Sequence, residues 1–362
     1  MSVPYKFNAF MIADNDEFTF TKIESEFPEL EEYDCLIRVE YCGVSHTDLL
    51  ASAGTVPGHE VVGIIEDVGL LVKNLEAGTR VGVGWQLSSC HACKFCESNR
   101  ENLCPDKKSF KDALLGGFGE YIIWDARFVY TIPEEIPSAE IAPLLTAGAS
   151  VYAPLKELSI MPTSRIGIVG IGGLGHLAIK FAKAWGCYVI AISSSLNKKE
   201  EALNFGADEF MTISANRETL ESIGQLDAIF STVSVPIDWN NLLKLLNPYG
   251  KFIMLGAVPF PMTVDGNLII NKKISLIGSI AASPECIRSM IEFVAVHNIK
   301  AEIELMEMNT ENCQTAFQRI GRNLARYRIV LKNLKLDTPD NSVEGDHEIE
   351  EEGSSHEDYK DN

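Results

Sequence analysis

The chain has 362 residues, 46% of them hydrophobic, which is length enough for two domains that each bury a core. No apolar run approaches the ~20 residues that span a bilayer, which argues against a membrane protein. Fifty-one acidic residues against 31 basic ones, a net charge of −20, argue against nucleic acid as a partner, because phosphates demand a basic face.

In chain order, residues 1–155 read as β-rich. Short alternating segments such as Leu36-Ile37-Arg38-Val39-Glu40 and Val61-Val62-Gly63-Ile64-Ile65 are punctuated by Gly43, Gly54, Pro57, Gly58, Gly69, Gly78 and Gly82. Inside this region stand Cys90, Cys93, Cys96 and Cys104, spaced C-x2-C-x2-C-x7-C. Four thiolates on one short loop can converge on a tetrahedral ion, and a closed S₄ shell is what structural Zn²⁺ prefers. Disulfide pairing is the alternative; it sits poorly with a chain that shows no secretory leader and so belongs in the reducing cytosol. The other five cysteines, Cys35, Cys42, Cys187, Cys286 and Cys313, are scattered singly and read as buried thiols.

From 156 to 297 the texture changes to strand and helix in alternation. Strands are predicted at Ile166–Val169, Tyr188–Ile192, Ala228–Phe230, Phe252–Leu255 and Ile274–Ile277. Helices are predicted at Leu174–Trp185, Lys198–Phe205 and Pro284–His297. Such alternation means an α/β domain, a doubly wound parallel sheet with crossover helices. Residues 298–334 return to mixed structure and rejoin the first domain. The tail, 335–362, is acidic: 11 Asp/Glu and one Lys lie between Asp337 and Asn362, so −10 of the −20 resides there. With almost no apolar residues it reads as disordered and solvating.

Gly170-Ile171-Gly172-Gly173-Leu174-Gly175 lies between a predicted strand and a predicted helix, the context a dinucleotide fingerprint requires. Gly170 makes the turn, Gly172 lets pyrophosphate approach the backbone, and Gly175 lets the helix pack on the strand, while the helix N-terminus offers free N–H groups to the phosphates. An NAD site carries an acid at the end of the second strand to grip the ribose 2′-hydroxyl. Here the strand runs out as Ser193-Ser194-Ser195-Leu196-Asn197-Lys198-Lys199. No carboxylate stands there to repel a 2′-phosphate, while Ser193, Ser194 and Lys198 can donate to one, so NADP(H) is expected over NAD(H). A solvated polar loop is the alternative.

A thiolate lobe, a Gly58-His59-Glu60 motif and this glycine turn, in that order, resemble the medium-chain dehydrogenase/reductase superfamily, and within it the cinnamyl-alcohol-dehydrogenase-like, NADP-dependent zinc alcohol dehydrogenases. The stretches Tyr41–Asp48, Val56–Glu60, Gly116–Tyr121, Leu144–Gly148 and Gly170–Gly175 carry the likeness, which covers about residues 5–334. The resemblance implies a GroES-like catalytic domain (1–155) with a structural zinc lobe (90–104), a Rossmann NADP-binding domain (156–297) and a return to the catalytic domain (298–334). It also implies a cytoplasmic homodimer and a cleft between the domains that takes a small-molecule substrate.

That family holds a second, catalytic zinc with Cys, His and Cys. At the matching positions this chain has Ser45, His59 and Thr146, so one ligand of three remains, with Glu60 beside it and Asp48 placed to orient it. The spacer after Asp48 is shortened to seven residues, and Leu50 stands where the family carries a proton-relay histidine. Hydroxyls are poor zinc ligands, and a site stripped of both thiolates loses affinity and charge balance. A catalytic zinc on His59 and Glu60 is therefore not expected. By the same resemblance, Thr47 would bond the substrate oxygen, Ser150 would lie near the nicotinamide ribose, Ser45, Thr146 and His59 would line the pocket, and Trp85 could wall the cleft or simply pack in the core.

Three readings follow. The first is an NADPH-dependent reductase without catalytic zinc, acting on carbonyls, enals, quinones or iminium ions. The second is a zinc alcohol/aldehyde dehydrogenase with an altered metal shell. The third is an NADPH-binding pseudoenzyme.

Overall fold

The computed structural model describes residues 6–213 and 224–334, so the acidic tail lies outside the described residues. Two sheets organise the chain. Strands β10 (Arg165–Val169), β11 (Tyr188–Ser193), β12 (Glu209–Thr212), β13 (Leu226–Ser231), β14 (Leu246–Met254) and β15 (Ser275–Gly278) form one of them, in the order β12-β11-β10-β13-β14-β15. Every pair in it is parallel, with Ile166 between Val189 and Ala228 in register. The inner strands β10 and β11 carry near-continuous apolar runs, Ile166–Val169 and Val189–Ile192, because both faces of the sheet are covered there. The sheet order reverses between β10 and β13, and ligands of doubly wound sheets bind at the carboxyl ends there.

The helix Pro284–His297 shows how local sequence sets an element. Ser283 caps it by accepting from Cys286 N–H, Pro284 occupies the first turn, and Asn298 ends it in the left-handed conformation. Cys286, Ile287, Met290, Ile291 and Val294 recur at helical spacing and are all buried. Each of the larger side chains contributes about 1.5–3 kcal/mol on burial. Most expected boundaries hold to within two residues, and two elements differ in kind or length. The predicted helix Lys198–Phe205 is a 3₁₀ turn, Leu196–Lys198, capped by Ser195, followed by a helix at Lys199–Asn204. The strand expected at Phe252–Leu255 already begins at Leu246, with an irregular step in its pairing to β13.

The second sheet is mostly antiparallel. Its strands are β3 (Asp34–Val44), β4 (Glu60–Val68), β5 (Arg80–Val83), β8 (Tyr121–Asp125), β9 (Val129–Thr131), β16 (Ile303–Glu307) and β17 (Arg328–Lys332). The path runs β16-β17-β3-β4-β5-β9, with β8 also on β3. Strand β17 pairs antiparallel with β3, Ile329 opposite Val44, so the last strands complete a sheet begun near the N-terminus. The helix Ala147–Glu157 joins the two halves: Tyr152 meets Phe181, Trp185 and Phe293 through its ring and Ser289 through its hydroxyl at 2.9 Å. Among the described residues no helix is long and apolar enough to cross a membrane.

Candidate active site and structural metal centre

The four cysteines lie in a lobe whose backbone turns through two short 3₁₀ segments, Cys96–Ser98 and Glu101–Leu103. Their sulfurs converge: Cys90 to Cys96 is 3.9 Å, Cys93 to Cys96 3.6 Å and Cys104 to Cys90 3.5 Å. A tetrahedron with Zn–S bonds of ~2.3 Å has edges of about 3.8 Å, so the spacing fits Zn²⁺ and is far from an S–S bond. Among the described residues this is the one cluster of three or more His, Cys, Asp or Glu ligand atoms close enough to hold a metal ion. The remaining five cysteines are all buried thiols, as their apolar contexts suggest.

The loop after β3 folds back on itself around Asp48. Its carboxylate accepts Ser45 N–H at 2.8 Å and Gly58 N–H at 3.1 Å, and pairs with His59 Nδ1 at 2.8 Å. A fully buried carboxylate with three donors is satisfied, and it fixes the imidazole so that Nε2 faces Ser45 Oγ at 3.4 Å. Ser45 Oγ also accepts Thr47 N–H at 3.1 Å, so Ser45, Thr47, Asp48 and His59 form one connected set. Phe110 lies against the His59 ring, centroids 4.5 Å apart. Burial opposes charging His59, but the Asp48 carboxylate, by charge and by hydrogen bond, outweighs it and raises the imidazole above its ordinary pKa.

Glu60 is fully buried and pairs with Arg328 Nη2, while its Oε1 and the Arg328 Nε have no hydrogen-bond partner among the described residues. Burial pushes the Glu60 carboxyl up, against the pull of Arg328 and His59. Glu60 therefore faces Arg328 through one carboxylate oxygen. Thr146, the other expected pocket hydroxyl, starts the helix Ala147–Glu157 with a buried Oγ1 that has no hydrogen-bond partner among the described residues. Ser150 Oγ donates to Thr146 O at 2.8 Å. Trp85 packs against the β-rich domain's core, and its carbonyl accepts Phe110 N–H at 3.0 Å. Leu50 is 64% exposed.

The glycine turn sits where its sequence context requires, between β10 and the helix Gly175–Trp185. Gly170 has φ +88°, open to glycine at no steric cost, and a Cβ on Gly175 would collide with Gly170 O. A Cβ on Gly172 would meet nothing, so that face is open to an approaching phosphate. Leu174 lies just ahead of the helix, part-buried against the core. Lys198 Nζ donates to Ile171 O at 2.5 Å, which brings the loop after β11 onto the turn with two ammonium donors to spare. Ser193 is buried, its Oγ accepting Ser195 N–H at 3.3 Å, and Ser194 is exposed. The cradle and the lysine fit a phosphorylated dinucleotide.

Two contributors escaped the sequence. Arg328 stands 268 residues from Glu60, yet its guanidinium lies where a Cβ on Gly173 would come within 3.4 Å. His176 is buried, held by burial to about 3, and so neutral: Nδ1 donates to Gly172 O at 3.0 Å and Nε2 accepts Glu302 N–H at 3.2 Å. No local spacing announces either role.

Residues 31–134 match the family model of the alcohol dehydrogenase GroES-like domain, and residues 173–296 that of the zinc-binding dehydrogenase. Cinnamyl alcohol dehydrogenase 7 of Arabidopsis thaliana is 37% identical over 317 residues, covering 83% of this chain and 88% of that one. The structure of a cinnamyl alcohol dehydrogenase from Sorghum bicolor superposes with a TM-score of 0.84 at 34% identity, over 91% of this chain and 98% of the other. A Helicobacter pylori enzyme of the same name, complexed with NADP(H), superposes with a TM-score of 0.82 at 29% identity, over 91% and 99%. The chain belongs to the medium-chain dehydrogenase/reductase superfamily, as an oxidoreductase of the zinc-type, cinnamyl-alcohol-dehydrogenase-like branch.

Proposed function

We propose that this protein is an NADPH-dependent reductase that works without a catalytic zinc, in a cytoplasmic homodimer, on small substrates needing little electrophilic help. The observation that carries the reading is the neighbour of His59 Nε2, a serine hydroxyl at 3.4 Å where the family has a thiolate. One imidazole and two neutral hydroxyls do not fit a zinc site, and no step is assigned to a metal here. The Cys90, Cys93, Cys96 and Cys104 lobe would hold a single structural ion.

NADP(H) bound at the glycine turn supplies a hydride. Gly170–Gly175 and the following helix would receive the pyrophosphate, with Arg328 beside it, and Lys198 with the exposed Ser194 would hold the 2′-phosphate, Ser193 being turned inward. The Helicobacter pylori relative, solved with NADP(H), supports that choice. Thr47 would anchor the substrate's heteroatom. Ser45, His59 and Thr146 would line the pocket, and Ser150 would stand by the nicotinamide ribose.

Without a Lewis acid, reduction of a simple aldehyde loses several kcal/mol of transition-state stabilisation, on the order of a thousandfold in rate. An iminium ion is already electrophilic, and hydride addition neutralises it with no proton required, which suits a site with Leu50 in place of the relay histidine. Enals reduced at carbon and quinones come next.

Metal analysis with an activity panel tests the proposal. One zinc per chain, with NADPH consumed faster on iminium, quinone or enal substrates than on simple aldehydes, is the expected result. Two zincs and efficient aldehyde reduction would return it to an ordinary zinc alcohol dehydrogenase, the reading favoured by the name of its Arabidopsis relative. Tight NADPH binding with nothing on the panel reduced would make it a pseudoenzyme.

A further inference from the structure

Three consecutive residues entering β17 reach both ends of the dinucleotide site. Arg326 pairs with Glu201, Tyr327 donates its hydroxyl to the other oxygen of that carboxylate at 2.7 Å, and Arg328 pairs with Glu60. Glu201 belongs to the helix Lys199–Asn204, directly after Lys198, whose ammonium rests on Ile171 O.

Tyr327 has φ +68°, a left-handed conformation that a bulky side chain adopts only where its surroundings over-determine it. Those surroundings are specific. Its ring lies 4.8 Å from that of His176 and edge-on to Phe205 at 5.0 Å. Its carbonyl oxygen comes within 3.1 Å of where a Cβ on Gly173 would stand. His176 in turn bonds Gly172 O. Burial, then the bond to Glu201, pushes the phenol up, so the hydroxyl stays a donor.

We infer that Tyr327 is a positioning residue for the dinucleotide. It locks the glycine turn, by carbonyl and ring, to the helix behind Lys198, by hydroxyl, so that pyrophosphate and 2′-phosphate meet a prearranged spacing. The inference rests on the NADPH reading and goes beyond it, because Tyr327 touches neither phosphate. Binding at two linked points loses affinity when their spacing slackens, and a ligand lacking the second phosphate does not notice.

Tyr327→Phe removes one oxygen and keeps the ring and the backbone constraint. Steady-state kinetics and fluorescence titration should show KM and Kd for NADPH raised about 10–20-fold, the low end of the scale of a hydrogen bond to a charged group, with kcat within about twofold. The constants for NADH should move less than about twofold. Glu201→Ala, which removes the acceptor of the Tyr327 hydroxyl together with the Arg326 pair, should weaken NADPH at least as much, and adding Tyr327→Phe to it should cost nothing further. Equal losses for both cofactors, or unchanged NADPH constants with a lower melting temperature, would make Tyr327 merely structural and overturn the inference. A wild-type protein without preference for NADPH sinks the 2′-phosphate reading and this inference together. A preferring wild type with an unresponsive Tyr327→Phe sinks the inference alone.

Discussion

Two places in this chain invite a metal, and they are built on opposite terms. In the lobe at 90–104, four sulfurs stand 3.5–3.9 Å apart along the contacts they make, and they satisfy one another poorly unless an ion sits among them. Around His59, every contact is already made by protein: Asp48 takes one ring nitrogen, Ser45 faces the other and Phe110 covers the ring. The lobe has the donors of a zinc site without another use for them. In the pocket the imidazole and hydroxyl instead bond to one another and to Asp48. On the proposed zinc-free reading, a family scaffold persists while the chemistry at its centre changes.

That contrast can be broken at its strong end first. Cys104→Ser should empty the lobe, taking zinc from one per chain to none. The lobe should lose on the order of 4 kcal/mol or more, visible as metal release and early local unfolding by hydrogen exchange. Retention of the ion would show that the lobe is not where zinc is held. On the pocket side, Glu60→Ala strands Arg328 in the interior and should cost about 3–5 kcal/mol in denaturant unfolding. A loss under about 1 kcal/mol would mean that the buried pair does not anchor the pocket.

Lys198→Ala tests the cofactor end. NADPH should bind roughly 10–100-fold more weakly, with NADH unchanged, from the loss of a charge-assisted hydrogen bond. Equal weakening of both would remove Lys198 from 2′-phosphate recognition. The smallest expected effect is a slope. With its pKa raised above 6.5, folded His59 binds more proton than unfolded His59 between 6.5 and the folded value. The stability it contributes is therefore complete below 6.5 and is lost as pH rises through the folded value. His59→Gln should flatten unfolding free energy across that window. A metal on Nε2 would exclude the proton, so an already flat wild-type profile counts against the zinc-free pocket.

How much of this was legible depends on distance along the chain. The helix Pro284–His297 was readable to its ends because Ser283, Pro284 and Asn298 act within a turn of themselves. The cysteine lobe and the glycine turn are short-range objects too, in which spacing dictates geometry. The pairing of Asp48 with His59 follows from the family pattern, and the buried contact bears it out. The partners of Glu60 and Glu201 could not be read, since Arg328 and Tyr327 come from the far end of the chain and no periodicity marks them. Ser194, one of the hydroxyls read as phosphate donors, sits at the surface beside the turn, whereas Ser193 is turned inward. Local propensity says that a loop is polar; only the packing of β11 decides which hydroxyl is free.

The pairing of β17 with β3 has a consequence for how the molecule is made. Val44 and Ile329 are neighbours in one ladder, so the sheet carrying the Ser45–Asp48 loop cannot close until the chain through Lys332 has left the ribosome. The parallel sheet, whose strands all lie between Arg165 and Gly278, can assemble during that wait. Truncating the chain before Arg328 should leave that sheet able to fold but uncover one side of Tyr41–Val44 in β3, exposing a short strand edge that invites aggregation.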